Sequence, residues 1–179
     1  MLFKQILMKK AQQIVSLQTK LGKLNTTIQT LSIEMTTVEQ NKAIIRRMTE
    51  TFYNQGDVES AEQFFADTYV HHDAASPQVR NRDGLKTVLR AFLAGCPDLQ
   101  ITIDELLAEG DTVTKRWTYH ATHTGDLSGL PPTGKHITMS GLELCRFANG
   151  KIVECWLAYD NLSLMQQLGI IPTPEQAGA

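Results

Sequence analysis

The feature that most constrains this chain is a change of period at Gly95-Cys96-Pro97. Before it, apolar residues return at steps of three and four; after it they alternate with polar neighbours. The first pattern sets one face of a helix against a core, and the second does the same for a strand. Helices first and meandering strands second is the order of an α+β domain. Ile44, Ile45, Met48 and Phe52 mark one face of a helix that Gly56-Asp57 ends, and Thr36 with Glu39 has the spacing of a capping box that would start it. A short helix is predicted over residues 58–65 and an extended segment over 68–73. Leu85, Val88, Leu89, Phe92 and Leu93 form the buried stripe of a third helix. Residues 113–124, 136–147 and 152–159 then read as long strands, the last two joined by a turn with an Asn149-Gly150 hairpin signal. Residues 162–168 predict a short closing helix. Long antiparallel strands with one apolar face can curl around helices into a cone, and the interior of a cone is where a small molecule would sit.

Residues 1–34 read differently. Leu7, Lys10, Ile14, Leu17, Leu21, Leu24, Ile28, Leu31, Met35 and Val38 alternate steps of three and four, and all but the lysine are apolar. A seam of that regularity fits an oligomerising coiled coil or a docked amphipathic helix. Gly22, Asn25 and several threonines weigh against a strong helix, and the flanking positions carry few of the charges that select partners. Met35 also opens a stretch that could begin the domain by itself. The expected organisation is an amphipathic extension over 1–34, a cone domain over 35–169 and a flexible tail over 170–179.

Composition narrows the partners. Hydrophobic residues make up 42% and charged residues 20%, the balance of an ordinary globular domain. The net charge of -2 argues against a nucleic-acid binder, which shows a strong basic face. Five lysines and no acid fall in the first 33 residues, leaving 12 basic and 19 acidic residues for the rest. No apolar run approaches the roughly 20 residues that span a bilayer, and the start lacks a signal-peptide pattern. The three cysteines, Cys96, Cys145 and Cys155, form no C-x-x-C pair, the usage of buried thiols in a reducing compartment. A cytoplasmic protein is the expectation.

No G-x-S-x-G, phosphate-cradling loop or dinucleotide fingerprint is present. His71 and His72 are adjacent on a strand and so point to opposite faces, as do His120 and His123, which disfavours a metal pair. Trp156, Ala158 and Asp160 share parity on the last strand. If Trp156 points into the cone, Asp160 follows it, and an enclosed carboxylate makes a better general base. The competing reading of Asp160 is a cap on the helix that follows.

The blocks R-W-T, T-H-T-G and G-L-P-P-T-G-K, then G-K-I-V-E-x-W-x-x-x-D and Q-Q-L-G, together with F-Y-N-Q-G-D and Y-V-x-H-D upstream, resemble the SnoaL-like polyketide cyclases, or ester cyclases. The likeness covers about residues 38–169 and leaves 1–34 outside. It implies the nuclear-transport-factor-2-like cone: a curved antiparallel sheet packed on three helices, here with an extra amphipathic helix in front. It also implies an aldol-type ring closure or related isomerisation of a small apolar carbonyl substrate, without cofactor or metal. The family's acid/base aspartate maps to Asp160, and the histidine of its H-D pair to His72. Tyr53, Arg116, His123 and Trp156 match pocket or motif positions, although Arg116 and His123 cannot both point inward. Position 121 holds Ala where glycine is common. Cys155 stands where His is frequent, with the parity of an outer face. The implied partners are a small apolar or aromatic molecule and further copies of the chain. Cone folds also serve as non-catalytic binding modules and as structural dimers, so those remain the alternatives.

Overall fold

The computed structural model describes residues 2–172, so the tail expected over 170–179 lies, from residue 173 on, outside the described residues. The chain divides into two compact units between Thr37 and Val38. Helix α1 spans Leu2–Met48, so no new helix starts at Thr36, and the expected capping box is not a boundary. The threonines that seemed to weaken this segment are accommodated by back-bonding. The hydroxyls of Thr19, Thr26, Thr27, Thr30 and Thr37 each donate to the carbonyl four residues earlier.

In the second unit, α1 passes into a π-helical turn, Thr49–Asn54, which ends where Gly56 turns the chain at φ +67°. A 3-10 turn, Val58–Ser60, and α2, Ala61–Phe64, lead directly into β1, Phe65–Asp73. Helix α3, Arg82–Gly95, starts where the Asn81 side chain accepts from the Gly84 amide. Strands β2 (Gln100–Glu109), β3 (Thr112–Thr122), β4 (His136–Ala148) and β5 (Lys151–Tyr159) follow, and α4, Asn161–Leu168, closes the domain. This is the α+β order expected from the change of period.

The sheet order is β1-β5-β4-β3-β2. The neighbours β2 to β5 are antiparallel as expected, but β1 lies parallel to β5. One side of the sheet packs on the helices. Phe52, Phe64, Phe65 and Tyr69 are buried there. Phe52 meets Phe65 edge-on at 5.7 Å, and Phe65 meets Tyr69 at 4.7 Å. Such ring pairs each add about 0.5–1.5 kcal/mol beyond the area they bury.

Register decides which side chains face inward. β5 begins with Ile152 buried and paired with Phe147, but the next pair is Arg146 with Glu154. The extra residue on β5 is a bulge, and it reverses the alternation for the rest of the strand. Cys155, Leu157 and Tyr159 therefore turn to the core side, while Trp156, Ala158 and Asp160 turn away from it. The outer-face placement expected for Cys155 is thus overturned: it is fully buried.

The reading of all three cysteines as free thiols is overturned with it. Cys145 and Cys155 are directly paired across β4 and β5 and form a disulfide; only Cys96 is free among the described residues. We expect Cys145→Ala/Cys155→Ala to lower stability by about 2–3 kcal/mol, the amount associated with closing a short loop. Urea unfolding of wild type with and without reductant should show the same loss, and a wild type indifferent to reductant would count against the bond.

Candidate functional site

The inner face of the sheet and the helices enclose a cavity of about 540 Å³, within the usual range for small-molecule sites. Its apolar wall includes Leu89 and Phe92 of α3, Met139 of β4 and Leu157 of β5. Gly141 of β4 leaves room for the Trp117 indole, since a Cβ there would stand 2.5 Å from its Cζ2.

The polar groups come from alternate positions of the strands. β1 contributes His71 and Asp73, β3 contributes Lys115 and Tyr119 beside Trp117, and β4 contributes Glu143. His71 and Asp73 are two residues apart on one face of one strand, so they stand side by side about 7 Å apart along it. Tyr69 Oη lies 2.8 Å from His71 Nδ1. Burial pushes the Tyr69 phenol far above its ordinary range, so it keeps its proton. In the tautomer in which the phenol donates to Nδ1, the His71 proton sits on Nε2. Burial also pulls the His71 pKa down, against the opposing charges of Glu143 and Asp73, which favours the neutral ring. Asp73 accepts from the Ala75 amide at 2.8 Å and from the Tyr159 hydroxyl at 3.3 Å. Burial first, and the Asp73 charge second, push Tyr159 up to about 12, so it remains a donor at neutral pH.

Lys115 and Glu143 face each other in the β3–β4 register and form an ion pair at 2.6 Å with both side chains almost wholly buried. The Lys115 ammonium also lies 5.4 Å from the centre of the Tyr53 ring. Trp117 Nε1 and Tyr119 Oη are buried with no partner among the described residues. An unmade hydrogen bond at a buried donor is costly, so these two N–H and O–H groups beside a cavity call for acceptor oxygens. Glu143, Cys145 and Cys155 bring one oxygen and two sulfurs within 4.8 Å of one another. That set would suit a thiophilic metal only with both sulfurs reduced, and here they are bonded to each other while Glu143 is paired with Lys115.

Of the residues singled out in the sequence, Tyr53 lines the cavity and five do not. Asp160 is exposed and caps α4, its Oδ1 accepting from the Ser163 amide at 2.9 Å. His72 lies on the opposite face of β1 from His71, stacked on Trp156 at 5.0 Å and bonded to Glu154 at 2.9 Å. Trp156 is sandwiched there by Arg146, 5.1 Å from its ring centre. Both orientations expected for β5 fail through the same bulge. Arg116 turns outward to Asp104 at 3.0 Å. His123 is wholly buried beyond the end of β3, where its Nδ1 accepts from the Thr133 amide and its backbone pairs with Lys135 and Gly134. It fastens the loop between β3 and β4. Lys115 and Glu143 went unnoticed in the sequence, although both sit at core parity in otherwise apolar strands. Asp73 was visible only as the second letter of the H-D pair.

Residues 43–168 match the SnoaL-like polyketide cyclase profile, most of the chain. The chain belongs to that family. The aklanonic acid methyl ester cyclase DnrD of Streptomyces peucetius is 28% identical over 137 residues, covering 74% of this chain and 93% of the relative. An Acidithiobacillus ferrooxidans protein assigned as a polyketide cyclase superposes with a TM-score of 0.66 at 32% identity, over 72% of this chain and 94% of the other. IdmH of Streptomyces antibioticus does so with a TM-score of 0.63 at 32% identity, over 73% and 99%. These likenesses carry the cone fold and a cyclase-type function to the second unit. They leave the heptad segment aside.

His71 also links the site to stability. Its folded-state pKa lies below the ordinary 6.5, so as pH falls the unfolded chain binds a proton first. The stability this confers is complete above about 6.5 and is lost as pH drops from there toward the folded-state value. Thermal midpoints measured from pH 8 to 5 should fall in wild type, and His71→Gln should flatten the part of the decline that begins below pH 6.5.

Proposed function

We propose that the cavity closes a ring by a cofactor-free, aldol-type step on a small, largely apolar carbonyl compound, with Asp73 as base and His71 as proton donor. The observation that carries this reading is their placement side by side on the inner face of β1, one a carboxylate and the other an imidazole. Asp73 takes a proton from a carbon flanked by two carbonyls. The resulting enolate carbon bonds to a carbonyl carbon elsewhere in the same folded molecule, and the electron pair of that carbonyl passes to its oxygen. His71 gives its Nε2 proton to this alkoxide, and the proton held by Asp73 returns to His71 through the product or a water. The step is a net isomerisation. A carboxylate can serve as the base, as an Asp does in ketosteroid isomerase, because a proton between two carbonyls is already acidic.

The other polar groups have parts in the same scheme. Tyr159 holds Asp73 in place. Lys115, Tyr119 and the Trp117 N–H offer fixed donors to substrate oxygens, a preorganised arrangement worth most in a site shielded from water. Tyr53 is the expected substrate-binding residue that keeps that role. The cavity itself supplies orientation, which in intramolecular reactions accounts for many kcal/mol of barrier lowering. Relatives named for acting on aklanonic acid methyl ester support a polyketide-type substrate, and that compound is the first probe.

With it, Asp73→Asn should keep binding and lose about a hundred- to ten-thousand-fold in turnover. His71→Gln should lose turnover as well, while Asp160→Asn, which keeps a capping side chain, should match wild type. Full turnover by Asp73→Asn, or its loss in Asp160→Asn, would return the role to the capping aspartate.

In the same reading the protein works in the cytoplasm, as a dimer or larger homo-oligomer and without a nucleic-acid partner. The heptad seam supports assembly, and the net charge of -2 supports the lack of a nucleic-acid role. The disulfide makes the compartment testable. Lysing the cells directly into denaturant with an alkylating agent should modify three cysteines if the compartment is reducing. A count of one would place the protein in an oxidising compartment.

A further inference from the structure

Helix α1 carries a surface that the ring-closing chemistry does not use, and it deepens the assembly proposed above. Between residues 7 and 31 its large apolar side chains stand out in solvent. Ile14, Leu17, Leu21, Leu24, Ile28 and Leu31 are each 53–58% exposed. They lie on one stripe at alternating steps of three and four, and Phe3, 75% exposed, extends that stripe by one more step toward the helix start. The segment lies wholly outside residues 43–168, which match the family. Exposed apolar side chains repeating every 3.5 residues match a facing helix with the same repeat.

We propose that residues 3–38 pair with the same segment of a second copy of this chain, as a parallel two-stranded coiled coil in register. The choice of occupant rests on residue type and charge. With Leu7 as the first core position, the a sites are Leu7, Ile14, Leu21, Ile28 and Met35, two of them Ile, and the d sites are Lys10, Leu17, Leu24, Leu31 and Val38, three of them Leu. Ile at a with Leu at d favours two parallel strands over higher assemblies.

The flanking positions agree with an identical partner. In this register Gln13 of one copy meets Gln18 of the other, and Lys20 meets Asn25, so no lysine flanking the seam faces another. Glu34 meets Glu39, and Glu39 is already neutralised by Lys42 of its own helix at 3.0 Å. Lys10 is the polar d residue. In parallel register it faces its own copy near the helix start, where long stems can carry both ammonium groups to water. In antiparallel register it would be set among apolar core residues of the far end. Gly22, at which an added Cβ would meet nothing within 4 Å, falls at an outer b site and leaves the seam intact. The stripe is about 50 Å long at the rise of an α-helix.

The test uses the full chain. Ile14→Cys places a thiol at an a position, and Gly22→Cys places one on the outer face. Under mild oxidation Ile14→Cys should give a covalent dimer in high yield, while Gly22→Cys and wild type, whose own cysteines are buried, should stay single chains in denaturing gels. Sedimentation should show that Leu21→Glu/Leu24→Glu lowers the assembly mass at least twofold with the far-UV spectrum of the cone domain retained, and that Val15→Glu, off the seam, does not. Equal cross-linking of Ile14→Cys and Gly22→Cys, a monomeric wild type, or a mass unchanged by the double substitution would overturn the proposal. None of these readouts depends on turnover, so failure here and failure of the cyclase reading are separable.

Discussion

The β5 bulge is the constraint on which the rest of the site depends. Side chains on a strand alternate, so a single extra residue exchanges everything beyond it between the two faces. Here the exchange occurs between Ile152 and Glu154. It sends Cys155 to a position where it can meet Cys145, and it brings Tyr159 to the side of Asp73. It also sends Trp156 and Asp160 away from the cavity. His72, Trp156, Arg146 and Glu154 then form a separate cluster on the outer face of β1, β5 and β4. The cavity's carboxylates therefore come from β1 and β4, as Asp73 and Glu143, and not from the end of β5.

A second constraint is the buried pair of Lys115 and Glu143. Removing two charges from water costs several kcal/mol per ion, and their attraction repays this only with good geometry. Apolar residues of similar size would serve the core at least as well. An ion pair at 2.6 Å placed beside a cavity is therefore understandable as part of a binding surface. It sits below a partly apolar wall and next to two unpaired donors, Trp117 and Tyr119. Together these groups describe a ligand with an apolar body and oxygens along one edge, which is also the description of a carbonyl-rich cyclase substrate.

The two units answer to different physics. The cone domain derives its stability from side chains buried within one chain, such as Phe52, Phe64 and Tyr69. The heptad segment has a regular helix, with threonine hydroxyls turned back onto its own carbonyls, yet it leaves its apolar stripe in water. Most helical stability in proteins comes from packing an apolar face rather than from propensity. A helix of this composition gains that packing from another helix.

Periodicity in the sequence was enough for the class of fold, because an apolar stripe at 3.6 or at 2 residues is a local property of the chain. The change at Gly95-Cys96-Pro97, the Asn149-Gly150 turn and the buried faces of α3 and β3 could all be read that way. Tyr53 was reached through the F-Y-N-Q-G-D block of the family resemblance rather than through periodicity. Motif resemblance reached the family. The identity of the inward-facing acid and base was not legible, because alternation in β5 was interrupted by a residue that looks like any other until its partners on β4 are known. The same holds for His71 over His72, since parity along β1 says only that they differ and not which one faces the helices. The disulfide was hidden because ten residues of sequence separate two sulfurs that the hairpin register brings together. Lys115 and Glu143 were hidden because a buried charge is recognisable only once its partner is opposite it. What the tertiary structure decided was register, and register is set by long-range strand pairing rather than by any local run of residues.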